Sequence, residues 1–286
     1  MIIIFSNYIT YITIFLISSL LFARYYKVAS QKSKKDGALT VLLEQIAGVF
    51  CILLIPLFEF KISQDIRVYI LLLLSVIFYA INDRINTKIR RNLEISIVAI
   101  LRQLSSIFLI FLGLIFFKEE FILTKFIGSF LIIFSNVLVF LDKDKLKINR
   151  DIIFGILANI CISMAMFLDI NISKSFTLPL YIWATLIFPS ILIFFVERLK
   201  ICDIIGEYKS GEKKAIIITG VSWGVMIFSQ LRAYQLGQVT KVAPLCALSI
   251  IINVIAGILL FGEKENIIKK IIASILIVFS LILINL

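Results

Sequence analysis

Histidine is absent from the chain, and with it go any Ser-His catalytic pair, any His-x-x-x-His zinc site and any imidazole proton relay. Charge is scarce, since Asp, Glu, Lys and Arg make up only 16% of residues, well below the quarter or so of soluble proteins. No Gly-x-x-x-x-Gly-Lys-Ser/Thr loop occurs, so ATP hydrolysis within this chain has no sequence support. The four cysteines, Cys51, Cys161, Cys202 and Cys246, share no metal-ligand spacing and read as small apolar core residues. No metal and no cofactor is expected.

What is abundant is hydrocarbon. Apolar residues are 61% of the chain and the mean hydropathy is +1.07, which places it among polytopic membrane proteins. Apolar runs of roughly 20 residues, enough to cross about 30 Å of bilayer, recur throughout. They predict ten spans at residues 2–23, 38–58, 67–83, 93–117, 121–141, 152–172, 177–196, 214–231, 240–261 and 267–286. The first lacks a preceding basic residue and a small-x-small cleavage site, so it is expected to stay as a helix. The fold class expected is all-α, with the lipid bilayer as its surroundings. The net charge of +11 does not point to nucleic acid, because the Lys and Arg residues sit in short loops, mostly those after odd-numbered spans. That bias predicts both termini outside, with residues 24–35, 84–91, 143–150 and 198–214 facing the anionic cytoplasmic surface.

The chain also contains an internal copy. Residues 98–133 align without a gap on 242–277 at a constant offset of 144, matching Ser105 with Ser249, Gly113 with Gly257, Phe117 with Phe261, Glu119 with Glu263 and Lys125 with Lys269. Two five-span units follow, residues 1–141 and 142–286, joined by the charged linker 142–151. An odd number of spans inverts the second unit relative to the first, and inverted repeats place a shared cavity near the membrane midplane.

Residues 77–139 and 233–284 resemble spans 3–5 and 8–10 of the EamA-type members of the drug/metabolite transporter superfamily. The carriers of the resemblance are the acidic element at Glu119 after span 4, Gly128 early in span 5, and the Gly262-Glu263 pair after span 9. The resemblance implies ten helices as two inverted repeats, and a secondary transporter that exports small metabolites. Ile100 stands where the repeat has Pro244, and Lys118 where it has Gly262. The resemblance also implies cytoplasmic termini, whereas the charge distribution predicts both termini outside.

Polar residues inside the spans supply the candidate substrate site. Arg102, inside span 4, costs about 2.5–3.5 kcal/mol at a helix centre, to be repaid by a substrate anion or by a buried partner, Glu44 or Asp83, unless it snorkels toward the interface. Arg102 and Ser105 map onto Cys246 and Ser249, and the same helical face continues to Asn253. Tyr79 maps onto Trp223 and Asn86 onto Gln230, pairing a ring for packing with an amide for orientation, or else interfacial belt residues. Asn82, one turn before Asn86, joins this set. Asn159 is deep in span 6 and is expected to hydrogen-bond across helices or to ligand, while Asp169 is expected to be solvated at the outer end. Glu44 and Asp83 are candidates for proton coupling, with a static Glu44–Arg102 ion pair as the competing reading. Gly220 and Gly224 fit close helix packing or a homodimer, so monomer and homodimer both stay open.

These readings converge on a plasma-membrane carrier of a small organic metabolite such as an amino acid, and not an enzyme. A passive channel or non-transporting subunit is the alternative. An enzyme acting on lipid-linked substrates would need clustered acidic or histidine residues facing one leaflet.

Overall fold

A computed structural model describes residues 7–93, 95–116, 122–140 and 150–249, with scattered helical positions between 252 and 283. Among the described residues every regular element is a helix. Ten are traced: α1 (Tyr8–Lys32), α2 (Asp36–Leu54), α3 (Ile66–Asn92), α4 (Ile95–Phe116), α5 (Leu123–Phe140), α6 (Arg150–Ile172), α7 (Leu178–Val196), α8 (Ile201–Ser210), α9 (Lys213–Leu236) and α10 (Val239–Ala247). Six of them, α1, α2, α3, α6, α7 and α9, are long and apolar enough to cross a membrane, and α4 and α5 carry shorter apolar stretches. The protein is an all-α integral membrane protein. Helices are the form the sequence must take in hydrocarbon, where each backbone N–H and C=O needs a partner within its own segment. The ninth and tenth expected spans lie largely outside the described residues, as do Glu119, Glu263 and Asn253.

Helix ends follow local chemistry. The Asn7 side chain caps α1 by accepting from the Ile9 amide at 2.9 Å, and Asp65 caps α3 by accepting from the Arg67 amide at 2.9 Å. Pro179 opens α7, where its missing N–H has no intrahelical partner to lose. The turn from α7 into α8 passes through Arg198 with φ of 50°.

The segment between spans 7 and 8, expected only as a basic loop, contains the short helix α8. One side of α8 presents buried Glu207, which accepts from the Lys34 and Lys35 amides at 3.0 and 3.2 Å, while Ile201 and Ile205 are exposed. The first turn of α8 is held by Asp203, which accepts from the Lys200 amide at 2.9 Å and pairs with Lys35 at 2.6 Å. The Lys35 ammonium, with the Lys200 amide, holds the Asp203 carboxyl below its ordinary range. Lys32 does the same for Glu212 at the start of α9.

α8 lies at a basic end of the bundle. There Lys27 donates to the Leu93 carbonyl, Arg91 reaches the Ser33 carbonyl and pairs with Asp36 at 2.7 Å, Arg84 pairs with Glu197, and Asn92 donates to Asp151 at 3.1 Å. The C-terminal ends of α1 and α3 and the N-terminal end of α6 therefore meet on one side. At the other end, Lys61 and Thr177 bond through their backbones at 2.8 Å, and Gln235 donates to Ser173. Residues 24–35, 84–91 and 198–214 thus cluster together as the charge distribution predicts, and residues 141–149 lie outside the described residues.

Packing follows a simple scheme: α1 lies along α9, α3 along α6, and α2 along α7, with α2 also touching α9 and α3 touching α7. On the other side, α4 contacts α6, α5 and α10. Gly220 and Gly224 let α9 approach α2 closely, which assigns their Gly-x-x-x-Gly spacing to packing within the chain. A Cβ on Gly220 would sit 2.6 Å from Ile46, and one on Gly224 would sit 3.0 Å from the Ala47 carbonyl oxygen. Replacing Gly220 by Val is expected to cost about 1–3 kcal/mol by forcing α2 and α9 apart. Thermal unfolding of the purified protein will show a lowered midpoint for Gly220→Val. Gly206→Ala on exposed α8, where a Cβ meets nothing within 4 Å, will leave it unchanged or slightly raised.

Candidate functional site

Six of the helices, joined by the C-terminal end of α10 and by Ser249 just beyond it, line a partly open cavity of about 120 Å³. This is room for several waters or a small polar molecule, since one water needs roughly 10–15 Å³ of such volume. Its walls hold nine of the ten expected substrate residues: Tyr79, Asn82, Asn86, Arg102, Ser105, Asn159, Trp223, Gln230 and Ser249. Asn253 lies outside the described residues. Of the two coupling candidates, Asp83 lines the cavity and Glu44 does not.

Much of the lining, though not Tyr26, Val98, Leu109, Ile162, Ser163, Thr185, Leu186 or Tyr234, falls into pairs at the offset of 144. On α1 and α6, Phe15 and Phe22 correspond to Asn159 and Met166. On α3 and α9, Tyr79, Asn82, Asp83 and Asn86 correspond to Trp223, Met226, Ile227 and Gln230. On α4 and α10, Arg102 and Ser105 correspond to Cys246 and Ser249. Some pairs keep their chemistry, as Ser105 with Ser249, Asn86 with Gln230 and the Tyr79 and Trp223 rings do, and others do not. The α3 side brings two amides and a carboxyl group, whereas the α9 side brings a Trp ring, apolar Met226 and Ile227, and one amide.

Aromatic rings form one wall. Phe22 lies 5.7 Å from Trp223, and Tyr26 stacks on Trp223 with centroids 6.2 Å apart. Trp223 is 5% exposed and Tyr79 is likewise buried, so neither is an interfacial belt residue. Tyr26, Phe22 and Phe15 were missed in the sequence, although their spacing of four and seven residues puts them on one face of α1. Tyr234 was missed as well; it sits one turn beyond Gln230, whose amide lies between the Tyr234 hydroxyl and the Cys246 thiol.

Arg102 is half-buried and lies near Cys246 across the α4–α10 contact. Among the described residues, the competing reading of an ion pair from Arg102 to Glu44 or Asp83 finds no such bridge. For Glu44 the reason is topological: α2 packs mainly on α7, α9, α3 and α8, while α4 packs mainly on α6, α10 and α5, so Glu44 sits behind the cavity and Arg102 lines it. Ser105 turns its hydroxyl back to the Arg102 carbonyl at 2.7 Å, and its own carbonyl accepts from Ser163 of α6 at 3.1 Å. Among the described residues Asn159 makes no bond across helices; its amide donates to the Gly155 carbonyl one turn back at 2.7 Å.

On α3 the amides form a directed chain. Asn86 donates to the Asn82 side-chain oxygen at 2.7 Å, and Asn82 donates to Asp83 at 2.7 Å. Asp83 in turn lies within hydrogen-bonding reach of Glu44 on α2. Glu44 is fully buried, about 12 Å from the start of α2 by helical rise, and not at a polar boundary. Beside this group, Thr87 bonds the Tyr26 hydroxyl at 2.7 Å and the Thr40 hydroxyl at 2.5 Å, fastening α3 to α1 and α2.

Asp169 corrects a further expectation. It is 1% exposed, because three hydroxyls converge on it: Ser75 at 2.7 Å, Tyr79 at 2.6 Å and Tyr181 at 2.7 Å. Its carboxylate satisfies groups from α3 and α7 at once and fixes the Tyr79 ring at the cavity wall. Asp169→Ala would leave three buried donors without their acceptor, at about 1–3 kcal/mol each before relaxation. A loss of about 3–5 kcal/mol is expected, with a smaller one for Asp169→Asn, which keeps an acceptor oxygen. Thermal unfolding in detergent measures both, and an Asp169→Ala protein as stable as the wild type would contradict the network.

No protein-family model matches the chain, and no curated protein matches it. Solved structures do share its fold. One, described as "Crystal structure of protein", superimposes with a TM-score of 0.69 over 97% of this chain and 98% of its own length, at 12% sequence identity. The fold therefore recurs in a protein of nearly equal extent.

Proposed function

We propose that the chain is a ten-helix secondary transporter of the EamA type, built as two inverted five-helix repeats (1–141 and 142–286). In this reading it moves a small organic metabolite, such as an amino acid, across the plasma membrane by alternating access, in the direction of export. It is a carrier and not an enzyme.

The observation that carries this reading is the pairing of the cavity walls at a single sequence offset. Exchange of the two repeats turns α1 into α6, α2 into α7, α3 into α9 and α4 into α10. Under that exchange the α1–α9 contact becomes the α6–α3 contact, and the α2–α7 contact maps onto itself. The basic end supports inversion, because the start of α6 meets the finish of α1 and α3 there. Two related bundles facing each other across a polar and aromatic cavity are what rocking between inward- and outward-open forms requires. Arg102 on one wall and Asp83 on another suit a zwitterion, whose carboxylate takes a guanidinium and whose ammonium takes a carboxylate.

Counterflow in proteoliposomes loaded with unlabelled common amino acids, assayed with labelled ones outside, tests the proposal. Saturable, trans-stimulated uptake is expected; unsaturable flux would favour a channel. Trp223→Ala and Arg102→Ala are each expected to reduce uptake about tenfold or more, equivalent to about 1.4 kcal/mol of lost binding. Arg102→Lys should recover part of the loss, since charge survives but the bidentate geometry does not.

A further inference from the structure

The two carboxyl groups at the α2–α3 contact have an arrangement that transport of a neutral or zwitterionic molecule does not by itself require. Glu44 is 0% exposed, and neither of its oxygens receives a hydrogen bond from any N–H or O–H donor among the described residues. A carboxylate buried without a donor is not tolerated in a protein interior, so its natural partner has to be found. The group it faces is another carboxyl, Asp83: the 2.5 Å Thr40–Thr87 hydroxyl bond lies one helical turn from each along the α2–α3 contact and brings the two carboxyls side by side. Two carboxylates repel each other, whereas a carboxyl and a carboxylate form a short, charge-assisted O–H···O⁻ bond.

The ionisable groups brought up by the neighbouring elements are engaged elsewhere. Glu197 of α7 holds Arg84, Glu207 of α8 takes the Lys34 and Lys35 amides, and Asp36 of α2 holds Arg91. From α9, Gly220 and Gly224 meet this stretch of α2. From α1, Tyr26 bonds Thr87 and not the carboxyl pair. Arg102 of α4 lines the cavity and forms an ion pair with neither carboxyl. Among the described residues, the only donor to the pair besides a shared proton is the Asn82 amide, which meets Asp83.

We propose that Glu44 and Asp83 form a one-proton site, loaded from and emptied into the cavity at Asp83, and that this proton is the coupling ion of the carrier. Asp83 is the member exposed to the cavity and Glu44 the member sealed behind it. Loading is simple proton transfer: cavity water gives a proton to a carboxylate oxygen, which shares it with the facing carboxylate, and release returns it to water on the other side. The Asn86–Asn82–Asp83 chain fixes which Asp83 oxygen faces the amide, leaving the other for Glu44. Proton binding stands on this geometry alone, while its coupling role rests on the transporter reading.

Two measurements separate these. Infrared difference spectra of the purified wild-type protein between about pH 4 and pH 9 should show a protonated-carboxyl C=O stretch that titrates as one proton per chain. Glu44→Gln and Asp83→Asn should each remove or shift that band. A band unchanged in both variants overturns the site, as does a response to sodium chloride in place of pH. Should Glu44→Gln fail to fold, Asp83→Asn alone decides, because the sealed Glu44 cannot share a proton with an amide oxygen in the same way. In proteoliposomes carrying pyranine inside, adding the common amino acids outside should change internal pH in the wild type and not in Asp83→Asn. Amino-acid counterflow without proton movement overturns the coupling role while sparing the carrier. Absence of any flux overturns the carrier reading and leaves the infrared titration to judge the site.

Discussion

A polar group drawn into a bilayer has no water to fall back on, and this constraint orders the interior of the protein. Serine and threonine hydroxyls return to carbonyls of their own helices, as Ser135, Thr219, Ser222 and Ser229 do. Carboxyl groups demand more. Asp169 satisfies the constraint fully by collecting three hydroxyls, and in doing so it ties α6 to α3 and α7 and sets one wall of the cavity. Glu44 satisfies it only if it shares a proton with Asp83. The same requirement thus yields a rigid structural joint at Asp169 and, in the proposed pairing, a proton site at Glu44 and Asp83.

Packing lets these groups be brought so deep. α9 reaches α2 through Gly220 and Gly224, where any side chain would strike backbone or Cβ atoms of α2. Gly155 admits Leu101 of α4 against α6, and Gly48 admits Ile187 of α7 against α2. Such small-residue contacts supply van der Waals attraction where no hydrophobic drive separates protein from lipid tails. The exposed faces, with residues such as Ile17, Leu53, Leu73 and Phe188, are the ones hydrocarbon covers.

The sequence made the membrane class, most span positions and most of the cavity legible, because each depends on composition or on a repeat that survives at a fixed offset. Tyr79 with Trp223, and Ser105 with Ser249, could be found by register alone. What stayed hidden depends on which helices touch. Arg102 and Glu44 looked like partners because each is costly in isolation, but they sit on helices that do not pack together. Asp169 looked solvated from its distance to a span end, and only the approach of Ser75 and Tyr181 shows why it is buried. The aromatic face of α1 was readable by helical spacing, yet in a chain with 25 Phe residues that signal is faint.

The central claim is that the two halves are inverted about a common cavity, and side-specific thiol labelling tests it most directly. In a background with the four native cysteines replaced, single cysteines at Asn7 and Arg150 mark the starts of α1 and α6, the equivalent first helices of the two halves. A membrane-impermeant maleimide applied to intact cells should label one of these positions and spare the other until the membrane is opened. Labelling of both from the same side would make the halves parallel and contradict the account.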